Sequence, residues 1–193
     1  MKISSLTDIG NTREMNQDYL YSSEESVGKL PNLFLVADGM GGHKAGEFAS
    51  RYVVEHIVRS IKGSKEEEAV GILSESIETA NRKLKEYADA HQQMRGMGTT
   101  IVAAVIQGRT LLVANVGDSR LYIVGDEITQ VTQDHSLVQE MVRLGQMDPQ
   151  SAKNHPDKIS LPGQWGCPKK VKNLIFLNGS FGQGSILSCA LTD

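Results

Sequence analysis

Apolar positions along the chain follow three rhythms, and each predicts a different kind of element. Residues 33–37 form a continuous apolar run, "LFLVA", of the kind found in a buried strand; shorter strands are predicted at 2–6 and 18–22. From Ala45 to Ile61 the rhythm changes to helical, with Phe48, Tyr52, Val53, Ile57 and Ile61 on one face. A second helix is predicted from about Lys65 to His91, where Val70, Leu73, Ile77, Ala80, Leu84 and Tyr87 recur three and four residues apart. Its charges fall on the other faces, so "KEEEA" is a solvated helix start. The stretch "TTIVAAVIQGRTLLVANVGDSRLYIVGDEITQVT" then predicts three or four strands joined by turns at Gly108, Gly117 and "GDE". A shorter helix is expected over 136–145, capped by Asp134 or Ser136.

Strands, two long helices and a strand meander predict an α+β layered domain rather than alternating βα units. At 193 residues the chain is long enough for one domain with a full core. A net charge of −3 argues against nucleic acid or an anionic membrane surface as partner. The N-terminus lacks a signal-like apolar region and no apolar stretch reaches spanning length, so the expected location is the cytoplasm. Cys167 and Cys189 do not suggest a disulfide framework.

Candidate chemistry sits where β-like runs meet polar or glycine-containing turns. Asp18 lies in "REMNQDYL", Asp38 in "VADGMGG", Asp118 in "VGDSRLY" and Asp134 in "TQDHS". Carboxylates converging on one cleft repel unless a cation lies among them, and hard oxygen-loving ions such as Mg²⁺ or Mn²⁺ fit that need. Each aspartate alone also fits an ordinary cap or Asx-turn. "GMGGH" lacks the Lys-Ser/Thr of a phosphate-binding P-loop.

In their order, "DIGNTREMNQD", "VADGMGGHKAGEFAS", "GMGTTIVAAVI", "LLVANVGDSRLYIV" and "ITQVTQDHSLVQEMVRLGQM" resemble the metal-dependent protein serine/threonine phosphatases of the PPM, or type 2C, family in its bacterial form. The resemblance runs from residue 1 to about 158. It implies a β-sandwich flanked by helices on both sides, with a two-metal centre of Mg²⁺ or Mn²⁺ at one end. It further implies that Asp38 bridges both ions, the Gly39 carbonyl completes one coordination sphere and Asp18 holds ion-bound waters. Arg13 would grip the substrate phosphate and His43 would protonate the leaving Ser/Thr oxygen. Asp118 would serve an accessory third ion. The reaction implied is attack by a metal-activated water on phosphoserine or phosphothreonine in proteins, a cognate kinase among them. Gln17 departs from the Glu that many members carry there. Read singly, Arg13 also fits a surface arginine, His43 a helix start and Asp118 a turn cap.

After Lys158 the match stops, and residues 159–193 contain both cysteines, the only tryptophan and a cluster of glycines. The genetic code offers a reason. Read from the third base of Ile159, the codons for "ISLPGQWG" permit Ile-Ile-Thr-Arg-Ala-Val-Gly, and the same offset in "SCALTD" permits Leu-Cys-Ser-Asp-Gly. Both are family motifs, so the tail reads as an out-of-frame translation of a phosphatase C-terminus. On that reading the fold is incomplete at the C-terminus. The tail is expected to lack the strands closing the second half of the sandwich and two metal carboxylates, leaving this chain with at most trace activity. A non-catalytic remnant that binds phosphoprotein through Arg13, or binds metal, is the alternative. An unrelated phosphate-accepting receiver domain is opposed by the strand meander over 100–131.

Overall fold

The computed structural model describes residues 1–11, 14–42, 44–133, 148, 174–178 and 186–190. Strands β1 (Asp18–Ser23) and β2 (Leu33–Met40) form an antiparallel pair, followed by helices α1 (Lys44–Gly63) and α2 (Ala69–Ala90) and a 3₁₀ turn at Gln92–Met94. Then come β3 (Gly98–Thr99), β4 (Ile101–Gln107), β5 (Thr110–Val116), β6 (Arg120–Val124), β7 (Ile128–Gln130), β8 (Leu174–Asn178) and β9 (Ile186–Ala190). The larger sheet runs β1-β2-β4-β5-β8, with β3 also on β2, and the smaller runs β7-β6-β9. Every pairing among the described residues is antiparallel.

The period of two in the strands assigns the two faces of the larger sheet. Leu33, Leu35 and Ala37 of β2, Ile101, Ala103 and Val105 of β4, and Leu112 and Ala114 of β5 share one core with the helices. There they meet Val53, Ile57 and Ile61 of α1 and Ile72, Leu73, Ile77, Ala80 and Leu84 of α2. The opposite face carries Val102, Ala104, Leu111 and Val113 in a second core with Leu121 of the smaller sheet. Phe34, Ile106, Ile123 and Val131 pack half-buried around it. Among the described residues, helices, larger sheet and smaller sheet are thus three successive layers, in keeping with an α+β fold; the helices expected on the outer side of the smaller sheet are not among those residues. The helix expected over 136–145 lies outside the described residues.

Three expectations need correction. Residues 2–6 are not a strand: no neighbouring strand supplies a ladder among the described residues, and Met1, Ile3, Leu6 and Ile9 are exposed. The second helix begins at Ala69 rather than Lys65. Glu66 turns its carboxylate back onto the amides of Glu67 and Glu68, and the Lys29 ammonium donates to the Lys65 carbonyl, which holds this stretch as a turn. The tail does supply strands. Residues Leu174–Asn178 pair with β5 and Ile186–Ala190 with β6, covering edges that would otherwise present unpaired amides and carbonyls.

Candidate active site

Asp18 and Asp38 are direct cross-strand partners at the same end of β1 and β2. Residues opposite one another project to the same face. That face is the inter-sheet one, because the alternate residues Ala37 and Tyr19 belong to the helix-side core. Both aspartates are half-buried. Two like charges directly opposite are unfavourable by themselves, and a divalent cation between them reverses the sign of the interaction.

Gly39 follows Asp38 on the helix side, where β2 runs into the first turn of α1. A Cβ on Gly39 would lie 1.9 Å from the Gly46 carbonyl oxygen, and one on Gly46 would lie 2.8 Å from the Gly39 carbonyl oxygen. Only two facing glycines permit that approach. The carbonyl of Gln17 accepts from the Gly39 amide at 3.0 Å and from the Ser50 hydroxyl at 2.7 Å. One peptide group therefore fastens β1, β2 and α1 together beside the aspartates. The Gln17 side-chain amide packs against Gly46 and reaches the Gly41 carbonyl at 3.5 Å.

Asp118 reaches the same end by a different route. The turn Gly117–Ser119 carries the chain from the larger sheet to the smaller, and Thr100 holds it. Thr100 stands in register opposite Asp38, continuing the β2–β4 and β2–β3 pairings. Its amide donates to the Asp38 carbonyl at 2.8 Å, and its Oγ1 accepts from the Asp38 amide at 3.0 Å. The same Oγ1 lies 2.6 Å from the Ser119 hydroxyl. Gly117, at φ +110°, leaves no room for a side chain, since a Cβ would sit 2.7 Å from the Thr100 methyl. Thr99 adds a hydroxyl bond of 2.8 Å to the Asp38 carbonyl.

Of the seven residues named from the sequence, the structure brings Asp18, Asp38, Gly39 and Asp118 to one end of the sandwich; Arg13, His43 and Asp134 lie outside the described residues. The pairing Thr99–Thr100 was quoted only as part of a motif. Its signal was two hydroxyl residues directly preceding an apolar strand, which becomes informative once the register with Asp38 is known. Among the described residues, no three His, Cys, Asp or Glu side chains gather closely enough to hold an ion by themselves. Two facing carboxylates nevertheless suit a hard divalent cation whose shell water completes.

Known proteins share this fold. A family model for protein phosphatase 2C matches residues 11–156. The serine/threonine phosphatase stp of Listeria innocua is 37% identical over 193 residues, covering 95% of this chain and 74% of its own. The solved structure of serine/threonine phosphatase Stp1 from Staphylococcus aureus aligns with a TM-score of 0.69 at 31% identity, covering 95% of this chain and 69% of that one. The S. agalactiae serine/threonine phosphatase aligns with a TM-score of 0.69 at 35% identity, covering 97% and 73%. On the match of residues 11–156 and these relatives, the chain belongs to the protein phosphatase 2C family.

Proposed function

We propose that this end of the sandwich is the site of a metal-dependent protein serine/threonine phosphatase, acting on phosphorylated proteins of the cytoplasm and on a cognate kinase. The observation that carries the reading is the in-register pair Asp18–Asp38 on the inter-sheet face, with the Asp118 turn tied to it through Thr100. Asp38 and the Gly39 carbonyl would hold the ions, Mg²⁺ or Mn²⁺. Asp18 would orient the waters around them, and Asp118 would serve an accessory third ion. When bound, such ions supply an activated water and offset the charge that develops on phosphorus. Arg13 grips two phosphate oxygens with its planar guanidinium and aligns the ester for in-line displacement. The phosphorus–oxygen bond to the Ser or Thr side chain breaks as the bond to water oxygen forms, and His43 gives its proton to the departing alkoxide.

Residues 159–193 belong to the same proposal as an out-of-frame reading. In this frame Leu174–Asn178 and Ile186–Ala190 pair as β8 and β9, yet the stretch does not carry the Ser-Asp-Gly from which the resemblance draws a metal carboxylate. The nucleotide sequence around codon 158 tests it. One added base should open a frame through Thr-Arg-Ala, Ser-Asp-Gly and a later Asp-Asn; an early stop in that frame refutes the proposal. The restored protein is expected to hydrolyse p-nitrophenyl phosphate with Mn²⁺ and to fall silent in EDTA. Undiminished hydrolysis in EDTA would refute metal dependence.

A further inference from the structure

Thr100 is buried to 1% exposure, as is Ser119, in a place where an apolar residue would complete the inter-sheet core. A hydroxyl so enclosed is costly unless bonded, and here it is bonded to two separate parts of the site. It accepts from the amide of Asp38 on β2 and pairs with the Ser119 hydroxyl, one residue beyond Asp118. The bond to Asp38 replaces one rung of the ladder. The Asp38 amide would ordinarily donate to the carbonyl of the residue opposite, but the Thr100 carbonyl instead lies 3.0 Å from the Thr99 hydroxyl, whose one proton it shares with the Asp38 carbonyl. The peptide on each side of Asp38 is thereby fixed by the Thr99–Thr100 pair. The methyl of Thr100 fills the space that Gly117 leaves open.

We infer that Thr100 is a positioning residue that couples the Asp38 strand to the Asp118 turn, so that the spacing of the two carboxylates is set before any ion arrives. The inference rests on the metal-site reading above. Its logic is that of outer-shell partners, which fix the orientation of ligands and whose loss weakens metal affinity by about 10–100-fold. Two functions are separable within the one side chain. The hydroxyl links the two segments, while the methyl only packs, so Thr100→Ser keeps the link and Thr100→Val keeps the shape. Ser119→Ala cuts the link to the turn and leaves the bond to Asp38.

The test uses the 193-residue chain without metal, followed by amide hydrogen exchange, then a Mn²⁺ titration read by paramagnetic broadening of amide resonances. Thr100→Val should lose protection at Asp38 and across Gly117–Ser119, and should raise the Mn²⁺ midpoint about tenfold or more. Thr100→Ser should keep both near wild type. Ser119→Ala should loosen only the turn. Equal protection and equal midpoints in Thr100→Val and wild type would overturn the inference, as would a Thr100→Ser protein as impaired as Thr100→Val. Were wild type to show no Mn²⁺ broadening near Asp38, the reading that Asp18 and Asp38 hold an ion without the family's further carboxylates would fall, while the exchange comparison would still decide the coupling.

Discussion

Asp38 is held through its backbone on both sides, so its carboxylate is presented rather than left to find its place. The Thr100 hydroxyl takes its amide, and Thr99 and Thr100 both donate to its carbonyl. Its importance was legible from sequence, because a carboxylate ending an apolar run beside glycines serves no packing purpose. Thr100 was not legible, because its role depends on register across 62 residues and no local pattern encodes that. The resemblance assigns the Gly39 carbonyl to a coordination sphere; the structure adds that its missing side chain makes room for α1. Gly39→Ala should therefore destabilise the fold by about 1–3 kcal/mol or more, as overpacking against backbone does, measured by denaturant unfolding without metal. An unchanged midpoint would mean that strand and helix separate freely there. In the frame-restored protein, Arg13→Ala should chiefly raise the Michaelis constant for a phosphothreonine peptide, with a smaller effect on turnover.

At the scale of elements, the two helices were the most readable parts because their apolar rows are long and periodic. Ile57 and Leu73 lie in the core that the helices share with the larger sheet, both fully buried. Phe48 stacks on Tyr87 across the two helices at 4.7 Å and on Tyr52 within α1 at 5.2 Å, and Tyr52 meets Tyr87 in a tilted contact at 5.5 Å. Leu73→Ala should cost about 2–5 kcal/mol in urea unfolding, whereas a loss below half a kilocalorie would place the residue outside the core. Element ends were less readable, since the residues that set them act through side-chain bonds. The amides of Glu67 and Glu68 hold the Glu66 carboxyl below its ordinary value. A carboxyl lowered in the folded state contributes stability above its unfolded value, and that contribution fades as pH falls through the folded one. Wild type and Glu66→Ala should thus differ most near neutrality and converge in acid; a gap that widens on acidification would contradict the assignment. The strand expected at 2–6 failed for a related reason, as a pattern of alternation gives no ladder without a partner.

Across the whole molecule, the family fold is legible as far as the chain's apolar pattern and motifs extend, while the tail shows no clean periodicity that would announce its strands. Its strands β8 and β9 join the larger and smaller sheets respectively, so the tail covers edges that the sequence reading left bare. Edge pairing alone does not restore ligands. We propose that Asp18 and Asp38 at one end of the sandwich, with Asp118 tied to them, form the metal site of this protein phosphatase 2C family member. The measurement that tests this most directly is Mn²⁺-dependent turnover of a phosphothreonine peptide by the frame-restored protein, its Asp38→Asn variant and the 193-residue chain. The restored protein should turn over and be silenced by EDTA, with the other two lower by at least about a hundredfold, as loss of a ligand exceeds loss of an outer-shell partner. Near-normal turnover in Asp38→Asn would contradict the site, and comparable turnover in the 193-residue chain would show that its tail replaces the missing ligands.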